Sequence, residues 1–326
     1  MKNLSRITFA LFFAIATCLP IIGCDRKGPD KLESMTIATF SKALGNTPYH
    51  IAKHFNWFGE VPELQGINIT HTLFNDRPTI SAAFDKGELQ VLFSAEAPQY
   101  LCRAQGNDIR IVALSASAAQ EIIVPTESAV QSVPDLRGKK LAVLAGTSSH
   151  YGLLKILKTF NISPAEVNIV YMSPTAAETA FETNAIDAWA VWAPWVEKQE
   201  VTGKGRALTG GDAVIHSTMA VPTTLITKHE PVVRAVVSVI QKAKVWMQAN
   251  PEEAQSIAAK ELGLDVEVVK RAWPKLKWGA QLNEDVIADI QEKANFLTEQ
   301  DKSRQTQALD VKTQFIDLRF LKSGSK

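Results

Sequence analysis

The chain has 326 residues, 46% hydrophobic and 21% charged, with 35 Lys and Arg against 34 Asp and Glu and a formal net charge of +1. A chain of this length ordinarily divides its core between two lobes, and so even a balance excludes a basic nucleic-acid surface or a membrane-coating charge run. Three cysteines, Cys18, Cys24 and Cys102, provide no disulfide framework.

At the N-terminus, Lys2 and Arg6 precede an apolar run from Ile7 to Cys18. That run is about a dozen residues, the form of a secretory signal, and too short for the ~20 apolar residues that span a bilayer. Residues 1–23 therefore read as a cleaved signal. Its end, Ile21-Ile22-Gly23-Cys24, resembles the bacterial lipobox, in which small residues admit the peptidase and the thiol of Cys24 accepts the lipid. Asp25 follows, a residue that in such lipoproteins favours retention at the inner membrane. The expected location is the periplasmic face of that membrane, or the cell surface where no outer membrane exists. Losing the signal removes two positive charges and takes the formal balance to −1. Cys102 is then the one cysteine left for the folded part, and it reads as a small packed residue.

Residues 24–33 form a charged tether with Gly28 and Pro29. Short β-type runs then alternate with helical runs. Met35 to Phe40 is a strand, Pro48 to Phe58 a helix, Ile67 to Phe74 an alternating strand, and Thr79 to Lys86 a helix ended by Gly87. Leu89 to Phe93 and Ile109 to Leu114 are buried-type strands. A second series begins at Lys139 to Leu144, followed by a helix from Ser149 to Phe160, a strand Val167 to Met172, a helix Thr175 to Asn184 and a strand Ile186 to Trp192. From Pro231 the chain is mostly helical, with Val232 to Gln248 one helix and Pro251 to Leu262 another, capped by Asn250 and stopped by Gly263. Alternating strands and helices predict an α/β fold with two parallel-type sheets. The organisation expected is one lobe from residues 34–116 plus 221–326 and a second from 117–220.

In open α/β sheets ligands lie beyond the carboxyl ends of strands, where helix N-termini offer free N–H groups and partial positive charge. Three junctions are suited to this. Gly45-Asn46-Thr47-Pro48-Tyr49 places Thr47 as N-cap and Pro48 at the first helical position. Thr147-Ser148-Ser149-His150 crowds three hydroxyls at one helix start. Trp192-Ala193-Pro194-Trp195 again starts a helix at a proline. Trp189 and Trp192 face opposite sides of their strand, which puts Trp192 at the crevice and Trp189 in the core; Trp195 is open between ligand wall and interdomain packing.

Enzymatic readings find little. There is no phosphate-binding Gly-x-x-x-x-Gly-Lys loop and no Gly-x-Ser-x-Gly elbow around Ser149-His150. His50 and His54 have metal-ligand spacing on one helix, but no third ligand stands near them in sequence, and a solvated helix face is favoured over metal. No cofactor is implied.

Several segments together resemble the solute-binding proteins of ABC importers for nitrate, aliphatic sulfonates and taurine, a family that includes thiamine-pyrimidine binders. They are TPYHIAKHFNWFGE, AAFDKGELQVLFSAEAP, IIVPTESAVQSVPDLRGKKLAVLAGTSSHYGLLKIL, AIDAWAVWAPWVE and NPEEAQSIAAKELGL, and in order they cover nearly all of the chain after the signal. The resemblance implies a two-lobed periplasmic-binding-protein fold, type II-like, closing on its ligand through two hinge strands. It implies a monomer that hands its ligand to a permease and an ATPase and performs no reaction. It places an anionic head on Thr47, Ser148 and Ser149, adds Tyr49, His150, Trp192 and Trp195 as neighbouring contacts, and offers Glu96 to a ligand amine. Gln90 departs from the family's usual Asp, as a structural change. Ala193 stands where many sulfonate binders carry Asp, which removes a polar contact. Arg77 reads as an exposed loop arginine. A small organic anion of the sulfonate or taurine type is the leading ligand. An aromatic heterocycle such as a thiamine-precursor pyrimidine is the alternative, favoured by Tyr151, Trp192 and Trp195. An enzyme of the same architecture, such as the menaquinone-pathway relatives, and a sensory domain are the readings from other classes.

Overall fold

Alternating apolar residues build short strands here, and helices return between them, as period-2 and period-3.6 patterns require. A computed structural model describes residues 31–40, 42–211, 213–300 and 307–320. The signal region, Cys24 and most of the tether lie outside the described residues. The strands are β1 (Ser34–Phe40), β2 (Asn68–Phe74), β3 (Val91–Ala95), β4 (Ile109–Pro125), β5 (Lys140–Val143), β6 (Asn168–Tyr171), β7 (Ala188–Trp192), β8 (Gly205–Ala207), β9 (Ala213–Pro222) and β10 (Leu276–Lys277).

Instead of the two separate sheets expected, the described residues form one, in the order β2-β1-β3-β9-β4-β7-β5-β6, with β8 and β10 also on β4. Two parallel wings are present: β1 lies parallel to β2 and β3, and β5 parallel to β6 and β7. The antiparallel pair β4·β9 splices them, through antiparallel contacts of β9 with β3 and of β4 with β7. The strand expected to end at Leu114 continues to Pro125 through a Ser- and Ala-rich stretch, and β9 was not anticipated. The stretch Ser115–Gln120 of β4 has no β-branched residue to favour a strand; it is extended because it pairs β9 on one side and β10 on the other.

The long pair is irregular. β4 slips register against β9 between Ile111 and Ala113 and again between Leu114 and Ala116, and such bulges leave backbone groups without ladder partners. Lys244, buried on the helix Glu230–Ala249, donates Nζ to Leu114 O and Ala280 O, both at 3.1 Å. Burial lowers its pKa to about 8.

The core of the described residues falls into four clusters. Two are drawn from residues 35–118 and 193–320, the others from 122–213, including Trp189 at 1% exposure. Helix Glu230–Ala249 buries Val233, Val236, Ile240, Ala243 and Met247, spaced i, i+3, i+7, i+10, i+14 along one face and worth roughly 1.5–3 kcal/mol per large aliphatic side chain. The helix Pro251–Leu262 has its expected bounds, with Gly263 in the left-handed region at φ 64°, as a C-terminal stop requires. The expected helix Pro48 to Phe58 is broken. Thr47–His54 ends, Asn56 turns left-handed at φ 56°, and Trp57–Glu60 follows; asparagine tolerates that conformation better than most residues. Cys102 is fully buried and its thiol is pushed up to about 11 by burial, a packed and inert group.

Candidate functional site

The carboxyl ends of both wings converge. β1 ends in Phe40, β3 in Ala95 and β7 in Trp192, and the loop after β5 leads to Thr147; all of these border one cavity. Its volume is about 50 Å³, where a single water needs roughly 10–15 Å³. Its floor is the β4·β9 splice, which contributes Ala118, Ile215 and Ser217. This is the crevice position that open α/β sheets reserve for ligands, formed here by two wings instead of one.

Local chemistry shapes the polar end. After β5, Gly146 adopts φ 68°, which an L side chain resists, and the chain turns into the helix Ser148–Thr159. Thr147 is the N-cap: its Oγ accepts from His150 N at 3.3 Å and donates to Leu144 O at 2.7 Å. Ser148 and Ser149 are 1% and 0% exposed, border the cavity, and have hydroxyls with no hydrogen-bond partner among the described residues. The first-turn amides beside them have no carbonyl within the helix, and the helix end carries partial positive charge. Buried hydroxyls without partners cost about 1–3 kcal/mol each, so this turn is built to receive an acceptor that the protein does not supply. Gly45 approaches from the other wing, and a Cβ there would collide with Ser217 Oγ. Only a glycine allows Ser217 to keep its place at the floor.

Other expected residues lie elsewhere. Thr47 is not the N-cap; Asn46 holds that position, and Thr47 is the first helical residue, fully buried, with its hydroxyl donating to Leu44 O at 2.6 Å. Tyr49 is core: its ring stacks on Phe93 at 5.1 Å, its OH lies 3.0 Å from His71 Nδ1, and burial raises its pKa. His150 faces away from the cavity's lining, with Nε2 3.2 Å from Tyr171 OH and its ring edge-on to Phe296; burial lowers its pKa. Trp195 leaves the inner cavity for a larger groove outside it, one residue past the N-cap Pro194. His50 is buried, and His54 lies 3.8 Å from Glu261, so the pair does not form one exposed face. Gln90 serves the backbone, accepting from Thr36 N and donating to Gly87 O. Arg77 opens a helix, Arg77–Asp85, in place of a loop.

Glu96 is the largest departure. It begins the helix Glu96–Ala104 and is 1% exposed, and both oxygens are engaged: Oε1 is 2.7 Å from Lys293 Nζ and Oε2 accepts from His216 N at 3.0 Å. Lys293 also meets Asp289 at 2.6 Å and Val214 O at 2.8 Å. His216 joins Asp289 through Nε2 at 2.9 Å and Ser117 through Nδ1 at 2.8 Å. Burial pushes the Lys293 ammonium down, but the two carboxylates outweigh it and its pKa is raised; burial pushes Asp289 up, and His216 and Lys293 outweigh that, so its pKa is lowered. The Glu96 carboxylate is thus occupied by the protein's own cation. In sequence Lys293 stands 197 residues from Glu96, and no local pattern announces the pair.

The cavity at the junction of two parallel wings has the build of a binding crevice. Residues 45–254 match the family model described as NMT1/THI5 like. The chain belongs to the NMT1/THI5-like family. Among its relatives, a Bacillus subtilis protein named provisionally for aliphatic-sulfonate binding is 29% identical over 321 residues, 94% of this chain and 93% of the relative. The taurine-binding periplasmic protein of Escherichia coli is 27% identical over 211 residues, 63% of this chain and 64% of the relative. In fold, the chain resembles the alkanesulfonate-binding protein SsuA of Xanthomonas axonopodis, solved bound to MOPS, with TM-score 0.73, 24% identity, and coverage of 87% of this chain and 98% of that one. The fold is that of the periplasmic binding proteins, and the relatives are named as binding proteins. In this NMT1/THI5-like chain, sequence reasoning missed Ser217 and Ile215 because β9 went unrecognised; Gly45 stood in the junction with Asn46-Thr47-Pro48 but was not singled out for the close approach it allows.

Proposed function

We propose that this protein is the substrate-binding lipoprotein of an ABC importer, that it captures a small organic anion of the sulfonate type between two lobes, and that it delivers it unchanged to a permease. The observation that carries the reading is the pair of buried, unpartnered hydroxyls of Ser148 and Ser149 at the start of the helix Ser148–Thr159, facing the cavity. An anionic oxygen placed there would take up both hydroxyls and the first-turn amides. Trp192 supplies an apolar wall beside it. The lobes are residues 34–116 with 221–326, and 117–220, with β4 and β9 as the hinge between them. Cys24 carries the lipid that holds the protein at the inner membrane.

Titration calorimetry with ethanesulfonate, taurine and nitrate tests the site. Replacing Ser148 and Ser149 together by Ala should lower affinity for the preferred anion by roughly tenfold or more, since a hydrogen bond to a charged group is worth about 1.5–3 kcal/mol. Melting should stay level or rise, because the alanines remove two buried hydroxyls that bond to nothing in the protein. Unchanged affinity in the double variant would remove the anion reading. For the anchor, palmitate labelling should vanish in Cys24→Ser.

A further inference from the structure

The irregular half of β4 carries a second cavity, away from the crevice. The two register slips of β4 against β9 bracket Ala113 and Leu114. A cavity of about 250 Å³ opens beside them, bounded by Val112 and Leu114 of the strand, Val237 and Lys244 of the helix Glu230–Ala249, and Ala280 and Leu282. It shares no lining residue with the crevice at the strand ends.

Lys244 is 6% exposed, and its Nζ is held 3.1 Å from both Leu114 O and Ala280 O. Leu114, Ala280 and Lys244 all border the cavity, so the ammonium sits at the wall, between the first two. An ammonium has three protons to donate, and these carbonyls take two. No carboxylate pairs with it among the described residues: burial alone lowers its pKa, with no negative group opposing the shift. Arg234 and Arg319, which flank Phe320 on the same cavity, are paired with Glu230 and Asp317. Satisfying two carbonyls does not require a charge. A glutamine amide has two N–H donors and would do it without burying one, whereas a buried ammonium without a counter-ion is costly. Lys244 is thus placed as half of an ion pair.

We propose that this cavity is a second ligand site, separate from the crevice, and that it takes a small monocarboxylate whose oxygens meet Lys244 and whose hydrocarbon body lies against Val237, Leu282 and Phe320. Those three apolar side chains are buried and border the cavity. One cation in such walls balances one negative charge and leaves a dianion such as phosphate half unpaired. The remaining N–H of Lys244 and the exposed amides of Gln241 and Gln281 supply donors for the two oxygens. The volume is just under the roughly 300–1,000 Å³ of pockets for drug-sized ligands, which restricts the body to a few carbons. The site does not depend on the anion reading of the crevice.

The test is saturation-transfer NMR of the full-length protein with butyrate, compared with butylamine, whose charge is opposite. Butyrate should bind the unaltered protein at least about tenfold more tightly than butylamine. Lys244→Met keeps most of the hydrocarbon stem and should weaken butyrate by about tenfold or more, the worth of a hydrogen bond to a charged group. Val245 borders the cavity and is 67% exposed, so its charge variants spare the core and decide the matter if Lys244→Met fails to fold. Val245→Glu should weaken butyrate about threefold, and Val245→Lys should not. Replacing Ser148 and Ser149 together by Ala should leave butyrate within about twofold. A loss in that serine variant as large as in Lys244→Met would place butyrate in the crevice and overturn the inference. It is equally overturned by unchanged binding in Lys244→Met, by equal butyrate affinity in the two Val245 variants, by equal binding of butyrate and butylamine, or by no butyrate binding to the unaltered protein. Failure of ethanesulfonate, taurine and nitrate to bind overturns the proposed function and leaves this inference standing.

Discussion

The two faces of the β4·β9 splice invite comparison. On one face Ala118, Ile215 and Ser217 form the floor of a cavity whose polar groups are neutral hydroxyls, two of them without partners. On the other, Ser117 and His216, each adjacent in sequence to a floor residue and therefore pointing the opposite way, meet the helix Glu284–Gln300. There Glu96, Lys293, Asp289 and His216 hold one another within hydrogen-bonding distance. The charged face looks like the functional one in a list of residues, and it is the saturated one. A buried charge is costly unless it is paired or hydrogen-bonded, so a saturated cluster of charges reports on the fold. A buried neutral hydroxyl left without a partner is a smaller and more tolerable cost, and it reports on something that is to arrive.

That comparison predicts separable effects. The largest belongs to the charged face: Lys293→Met leaves Glu96 and Asp289 without their shared cation and should destabilise the protein by about 3–5 kcal/mol, read as a lower urea midpoint. A change below about 1 kcal/mol would mean the cluster is not what holds Glu96, and the contrast between the faces would fail. Next is a pH effect away from both faces. Burial lowers the pKa of His50 to about 4; the Glu261 carboxylate opposes that shift, and Lys53 and His71 add slightly to it. The neutral ring is favoured in the folded state, so its contribution is complete above the unfolded value of about 6.5 and is lost as pH falls toward 4, to the extent of about 3 kcal/mol. Comparing urea midpoints of the unaltered protein and His50→Gln between those two pH values measures it; the variant should show a shallower decline. The smallest effect sharpens the cavity side. Thr147→Ala removes the true N-cap and should cost about 1 kcal/mol of stability, whereas the Ser148 and Ser149 double variant should cost affinity and almost no stability. If the double variant melts as early as Thr147→Ala, the two serines are caps after all.

Elements with local causes were legible in the sequence. The helix Pro251–Leu262 follows from Pro251 in its first turn and Gly263 at a left-handed stop, although Asn250 turns its side chain back to Trp246 O instead of capping. The opposite orientations of Trp189 and Trp192 followed from strand alternation alone, and the structure has Trp189 in the core and Trp192 at the cavity. The crowding of hydroxyls at Thr147-Ser148-Ser149 was visible, but which of the three caps the helix was not, because all three have the same chemistry and only the position of the first helical turn assigns the bond to Thr147.

By itself the sequence determined the α/β alternation, the bounds of the strongly punctuated helices, and the presence of a hydroxyl-rich helix start suited to an anion, because each depends on residues within one or two turns of one another. Tertiary structure decided that the two wings are one sheet, since the Ser- and Ala-rich stretch of β4 is held as a strand by β9 on one side and β10 on the other before β4 goes on to pair β7. It also decided the fate of Glu96. A carboxylate at a helix start suits an amine from a ligand or a lysine from the chain equally well, and only folding brings Lys293 to within 2.7 Å.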